Sequence, residues 1–188
     1  ISSVKDKRED FIFIAESYWD LEYELQNLGF DYTYDKRLTD RLRSDTAANI
    51  NAHLRADFSY QSRSVRFIEN HDEERAVEAF GIDKSQGAAV VCSTLPGMRF
   101  YHDGQFEGKK IKLPVQLGRE PVEELNTGLQ KFYELLLSIT AKEICKYGKW
   151  ELLNILPAGS DDQTYQNVLS WVWSKDHEYM LVVVNYSV

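Results

Sequence analysis

The sequence predicts an α/β chain: a parallel sheet with helical crossovers, followed by a stretch of antiparallel β structure. Three observations predict it. A short apolar, β-branched or aromatic run followed by a helical stretch recurs four times before Gly148, the pattern left by right-handed crossovers between parallel strands. Polar, reactive residues gather directly after the first and third runs. Beyond Gly148 the period changes to alternation, as in a sheet with one buried face. Periodicity alone leaves two architectures open. One is half of an eight-unit barrel, which needs ~250 residues in all; the other is a complete, small, doubly wound domain.

The first run, Asp10 to Ala15, reads Asp-Phe-Ile-Phe-Ile-Ala, as in a strand buried on both faces. A helical stretch follows, with Trp19, Tyr23 and Gln26 on one side and Leu21, Leu25 and Leu28 at helical spacing, until Gly29 stops it. Phe30–Tyr34 is the second strand, and 38–60 reads as one or two helices. The third strand is Ser64–Ile68, running into Glu69-Asn70-His71-Asp72. Helical patterning resumes over 73–80 and 84–95, and Pro96-Gly97 breaks it. Met98–Tyr101 is the fourth strand, followed by a polar loop from His102 to Glu120. A long helix is expected from 121 or 122 to 147, with Leu125, Leu129, Phe132, Leu136 and Ile139 as its buried stripe. Alternating segments at 150–154, 168–172 and 180–184 complete the chain.

Of 188 residues, 43% are hydrophobic and 13% aromatic, enough for a sizeable core. The balance of 22 basic against 30 acidic residues gives a net charge of −8, which argues against nucleic acid as a main partner. No apolar run approaches the ~18–20 residues that cross a bilayer, so no membrane partner is expected. Cys92 and Cys145 are too few for a disulfide scaffold, and Cys92, in an Ala-Val-rich helix, reads as an inert buried thiol. The chain opens on Ile1 without a leader pattern and closes on Val188 just after an apolar run. A segment is therefore expected to be missing at one or both ends.

Two acids stand out because each closely follows an apolar strand: Glu16 after the first, Asp72 after the third. Neighbouring parallel strands can bring two such carboxylates over one cleft, the minimum equipment for cleaving a glycosidic bond. One must stay protonated to donate to the leaving oxygen while the other remains ionised. His71 can donate hydrogen bonds to sugar hydroxyls, and Tyr18, Trp19, Tyr32 and Tyr34 can offer flat faces to sugar rings. Plainer readings stand beside these. A glutamate at a strand end is most often a solvated loop residue, Asp72 can be a helix N-cap, and aromatics mostly build core.

Phe67-Ile68-Glu69-Asn70-His71-Asp72 resembles the seventh-strand motif of the α-amylase family of glycoside hydrolases. Phe13-Ile14-Ala15-Glu16 is similar to that family's fifth-strand segment, and the passage from Thr94 to Gln105 to its eighth. The three occur in the family's order. The resemblance implies the carboxyl-terminal half of a (β/α)8 TIM barrel, strands five to eight, over residues 1–147. Residues 148–188 would then open the all-β domain that follows, cut short. It implies Glu16 as general acid/base, Asp72 as transition-state stabiliser and His71 as a sugar-binding residue; Asn70, Tyr18 and Trp19, beside them in the sequence, are expected as further substrate contacts. The parent would be a retaining hydrolase or transglycosidase acting on α-glucans or oligosaccharides.

The sequence departs from the family in two places. Gly104-Gln105 is followed by Phe106, with Glu107 one position late. The nucleophilic aspartate of the family's fourth strand has no counterpart, so the isolated chain should not turn over. No cofactor is implied; calcium is possible in the parent, but no ligands for it are assignable in this chain. Half a barrel has two edge strands where a whole one has none. Its partners should therefore be the missing amino-terminal half or a second copy. The alternative is a non-catalytic glycan-binding or scaffold domain of the same ancestry.

Overall fold

A computed structural model describes residues 1–114, 116 and 119–187. Positions 115, 117 and 118 of the expected polar loop, and Val188, lie outside the described residues. Four short strands, β1 (Ile14–Ala15), β2 (Tyr32–Tyr34), β3 (Ser64–Arg66) and β4 (Met98–Arg99), form one sheet in chain order. Every pair is parallel, with Ile14 opposite Tyr32, Tyr34 opposite Val65 and Arg66 opposite Arg99. Helices bridge the gaps: α1 (Ser2–Lys5), α2 (Glu22–Asn27), α3 (Lys36–Ser44), α4 (Ala47–Leu54), α5 (Phe58–Gln61), α6 (Ala76–Phe80), α7 (Ile82–Thr94), α8 (Thr127–Thr140) and α9 (Ile144–Tyr147). β5 (Lys149–Leu152), β6 (Val168–Lys175) and β7 (Glu178–Asn185) then make an antiparallel sheet.

Local chemistry sets the element ends. Asp35 caps α3 by accepting from Leu38 N at 3.0 Å, Thr46 caps α4, and Asn126 caps α8 by accepting from Leu129 N at 3.0 Å. That last cap starts the helix at 127 rather than 121, so Leu125 lies before it and is exposed. The expected long helix divides into α8 and α9, and the buried face of α8 is Leu129, Tyr133, Leu136 and Thr140. Gly97, with φ 111°, closes the turn into β4; a Cβ there would meet Ser64 O at 2.2 Å.

Two other expectations fail for identifiable reasons. The first strand is not buried on both faces: Phe11, Ile12 and Ile14 are exposed and only Ala15 of β1 is buried, because among the described residues no other element covers those side chains. On α2 the buried residues are polar. Gln26 turns inward because its Nε2 donates to Thr33 Oγ1 at 3.0 Å and Arg63 O at 3.3 Å, while Leu21, Tyr23 and Leu28 face out. The 38–60 stretch holds three helices, not one or two.

The main core lies between the helices and the second sheet. Leu42, Ile50, Leu54, Ala88 and Val91 pack with Leu129, Leu169 and Trp171. Trp173 Nε1 donates to Thr94 O at 2.7 Å and Tyr186 Oη to Leu42 O at 2.6 Å, which ties the antiparallel sheet to α7 and α3. Cys92 and Cys145 are free and buried, and burial pushes the Cys92 thiol up to about 12. Among the described residues no helix is long and apolar enough to cross a membrane.

One charge network has its ion pair, Arg66 and Asp35, fully enclosed. Arg66 Nη1 pairs with Asp35, whose Oδ2 also lies 2.9 Å from His53 Nε2, and Arg66 Nε donates to Pro96 O at 3.3 Å. Burial alone would raise the Asp35 pKa; the Arg66 charge and the His53 contact outweigh it and hold the carboxyl below its usual range. Removing one partner of a buried pair costs about 3–5 kcal/mol. Urea unfolding at pH 7 should show a loss of that order for Arg66→Met. Because the folded Asp35 pKa is depressed, its contribution is present above the ordinary carboxylate value of ~4 and vanishes as pH falls through the folded one. The gap between the two chains should narrow accordingly in acid; a gap that widens would exclude this account.

Candidate active site

Parallel strands end on the same side, so the segments leaving β1, β2 and β3 share one edge of the sheet. Glu16 follows β1 directly and is exposed. His71 and Asp72 lie further past β3, where two strand spacings would leave them about 10 Å from β1. A turn closes that gap. Asn70 is buried, and its Oδ1 accepts from Asp72 N and Glu73 N, both at 2.9 Å. His71 Nε2 comes to 3.5 Å from Glu16 Oε1 and 3.6 Å from Asp72 Oδ2, and the three groups lie within 4.8 Å of one another. These distances suit charge contact and leave room for a ligand hydroxyl.

The turn also explains why α6 starts at Ala76 rather than at Glu73. Glu69 is 1% exposed, and its Oε2 accepts from Ala76 N at 2.5 Å, closing the loop from 69 to 76. Asp72 is therefore not the helix cap. Lys36 Nζ lies 3.2 Å from Glu73 Oε1, and Lys112 Nζ donates to Asp72 O, so neighbouring segments hold the loop from both sides.

Of the other residues the sequence points to, Tyr18 packs beside Trp19 with ring centres 5.9 Å apart. Burial raises the Tyr18 phenol pKa, and Asn70 is a neighbour of its hydroxyl. Tyr18 Oη and Asn70 Nδ2 are both enclosed and, among the described residues, have no hydrogen-bond partner. Trp19 is 88% exposed and held with φ 61°, next to Asp20 with φ 66°. Tyr34 ends the strand between the two acids; burial and the charges of Glu16 and Asp72 all raise its phenol pKa. Tyr32 is elsewhere. It begins β2 and lines a depression with Ser62, Pro96 and Gly97 at the amino ends of the strands, so it cannot serve this cleft.

Sequence reasoning assigned nothing to Glu69, Arg75 and His102, which form the wall behind His71. Arg75 Nη1 lies 3.0 Å from Glu69 Oε1 and 2.6 Å from His102 Nδ1, and Arg75 Nη2 donates to Asp103 O at 2.7 Å. His102 Nδ1 is 3.4 Å from Glu69 Oε1. Burial, and then the Arg75 charge, lower the His102 pKa. Beside this wall lies a groove of about 360 Å³ reached by Lys109, Ile111 and Glu123. Glu16, His71 and Asp72 are also the one cluster of metal-ligating types this close among the described residues.

Glu69 gives the site a pH signature. Burial raises its pKa to about 7, against the Ala76 N–H and the Arg75 charge, which lower it. Between the ordinary value of ~4.3 and that raised value, the folded chain holds a proton that the unfolded chain has released. This group therefore costs stability as pH rises through the window. Glu69→Gln keeps an acceptor for Ala76 N without the charge. Its melting temperature should gain on the parent by a few degrees between pH 5 and 7.5, since about 1 kcal/mol moves a chain of this size by about 2–4 °C. A variant that falls further behind over that range would mean that the Arg75 ion pair outweighs burial.

Compared by sequence, the chain matches no family model and no curated protein. Compared by structure, it resembles cyclic α-maltosyl-(1→6)-maltose hydrolase from Arthrobacter globiformis, with a TM-score of 0.79 at 19% identity over 98% of this chain and 43% of that one. It also resembles a maltogenic α-amylase from Thermotoga neapolitana (TM-score 0.71, 20% identity, 98% and 44% covered). A debranching enzyme from Nostoc punctiforme gives 0.74 at 15% identity, with 98% and 43% covered. The chain thus spans less than half the length of the solved chains it matches. Over nearly its whole length it has the fold of part of an α-amylase-family chain.

Proposed function

We propose that residues 1–147 are the carboxyl-terminal half of a (β/α)8 TIM barrel, strands five to eight, and that 148–188 begin the all-β domain after it. In this reading the parent protein is a retaining α-glycoside hydrolase or transglycosidase acting on α-linked glucans or oligosaccharides. The observation that carries it is the convergence of Glu16, His71 and Asp72 within 4.8 Å at the carboxyl ends of parallel strands. The chains it resembles in fold are, by their names, enzymes of maltosyl saccharides and amylases.

Glu16 is the general acid/base: it protonates the leaving glycosidic oxygen, then takes a proton from the incoming water or sugar hydroxyl. Asp72 stays ionised and stabilises the oxocarbenium-like centre, and His71, between them, donates to a sugar hydroxyl. Asn70 holds the loop, while Tyr18 and Trp19 form the aromatic wall of the subsite. The nucleophile of a retaining reaction, ~5–5.5 Å from the acid/base, comes from the complementary half of the barrel. That half would cover the edges at β1 and β4, where exposed Phe11, Ile12 and Ile14 otherwise also invite a second copy.

Co-expression with an amino-terminal half-barrel carrying the nucleophile should yield cleavage of an α-glucan, read as reducing ends released. General acid–base catalysis contributes ~10²–10⁴-fold, so Glu16→Gln should lower kcat by that factor. Undiminished turnover in the Gln variant would remove Glu16 from the mechanism.

A further inference from the structure

A depression of about 470 Å³ opens at the amino ends of the parallel strands, away from the end that carries Glu16 and Asp72. The start of β2 at Tyr32, the turn into β4 at Pro96 and Gly97, and α9 with Cys145 and Lys146 enclose it. Its charged lining is Arg99 and Lys146, and among the described residues no carboxylate lines it. In a chain whose net charge is −8, a hollow lined by basic groups alone stands out.

Neither base is neutralised within the depression. Among the described residues the Arg99 guanidinium makes one hydrogen bond, from Nη1 to Thr140 O at 2.9 Å, and its Nε is enclosed without a partner. Lys146 is exposed. Glu143, three residues before it, is held by Lys175 Nζ at 2.6 Å and does not line the depression. The Cys145 thiol, in the same wall, responds to the local charge. Burial raises its pKa, and the charges acting on it, those of Arg99 and Lys142, are both positive and lower it.

This lining repels a cation, and a neutral ligand leaves its two charges uncompensated. An anion is drawn in. A guanidinium beside an ammonium suits a phosphate monoester, which carries about −1.5 to −2 charge at pH 7. Much of the remaining lining is apolar or aromatic: Leu95 and Pro96, the rings of Tyr32 and exposed Phe58, and Trp173, fixed by its Nε1 bond to Thr94 O. A bare inorganic ion would leave these surfaces to water, whereas a flat ring attached to the phosphate covers them.

We propose that this depression binds a planar organic phosphate, the chemistry of a nucleoside monophosphate. Arg99 and Lys146 hold the phosphate, and Tyr32 and Phe58 flank the ring. The site is independent of the function proposed above.

The test is a calorimetric titration of the full chain with adenosine 5′-monophosphate, and with adenosine and inorganic phosphate as its two halves. The monophosphate should bind more tightly than either half by about tenfold, with backbone amide NMR shifts at 58, 62, 95–99 and 145–148. Lys146→Glu, at an exposed position, reverses one of the two charges and should weaken binding about tenfold. Phe58→Ser, likewise exposed, should weaken the monophosphate and leave inorganic phosphate unchanged. Glu16→Gln should bind the monophosphate as the parent does. Binding of either half as tight as the whole, no binding, shifts confined to other segments, or parental affinity in Lys146→Glu would overturn the site. Loss of binding in Glu16→Gln would place the ligand in the cleft and overturn it equally.

Discussion

The geometry of the cleft depends on one turn. Parallel pairing sends β1, β2 and β3 out on the same side, yet β2 stands between the two acids. At ~4.8 Å per strand, side chains directly above β1 and β3 would face each other across about 10 Å. The Asn70 side chain removes that distance by bending the chain after β3, using two backbone N–H groups that a straight exit would leave to water. The turn is fixed at its far end by Glu69 on Ala76 N and braced through Lys36 and Lys112. Residues 69–76 thus behave as one closed unit that presents His71 and Asp72.

The two buried carboxylates at the ends of β2 and β3 are treated in opposite ways. Asp35 has a guanidinium aimed at it, a histidine on the same oxygen and a backbone donor, and it stays ionised. Among the described residues, Glu69 has one backbone donor and an Arg75 whose charge is close but whose geometry leaves Oε1 without a hydrogen bond, so burial wins. Arg75 spends its donors on Asp103 O and faces His102 instead. Proximity of opposite charge alone does not fix a proton; alignment does.

This contrast marks the limit of what the sequence displays. The order of strands, the parallel-to-antiparallel change at Gly148 and the chain positions of Glu16 and Asp72 are local patterns, readable from period and punctuation. Their approach to within 4.8 Å depends on Asn70 acting on amides two and three residues on, which periodicity does not register. The inward turn of Glu22 and Gln26 on α2 is equally hidden, because Leu21, Leu25 and Leu28 offer a more obvious apolar face. Gln26 is drawn in by Thr33 and Arg63, residues that only the fold brings near. Aromatic residues read alike in sequence, yet Tyr34 flanks the cleft and Tyr32 sits at the other end of the same strand.

The location of the core explains how the sheet tolerates bare edges. Apart from Ile68, just past β3, the main apolar cluster draws on the helices, the connections and the antiparallel sheet rather than on the strands of the parallel sheet. The inner face of the parallel sheet carries a smaller aromatic set, with the Tyr34 ring centre 5.1 Å from Phe67 and 5.9 Å from Phe100. Because Trp173 and Tyr186 lock the second sheet to α7 and α3, most apolar burial is complete on the helical side. The inner face and the edge at β1 are then free to meet another surface without that core being rebuilt. A chain arranged in this way can keep its carboxylate loops in place before anything closes over them.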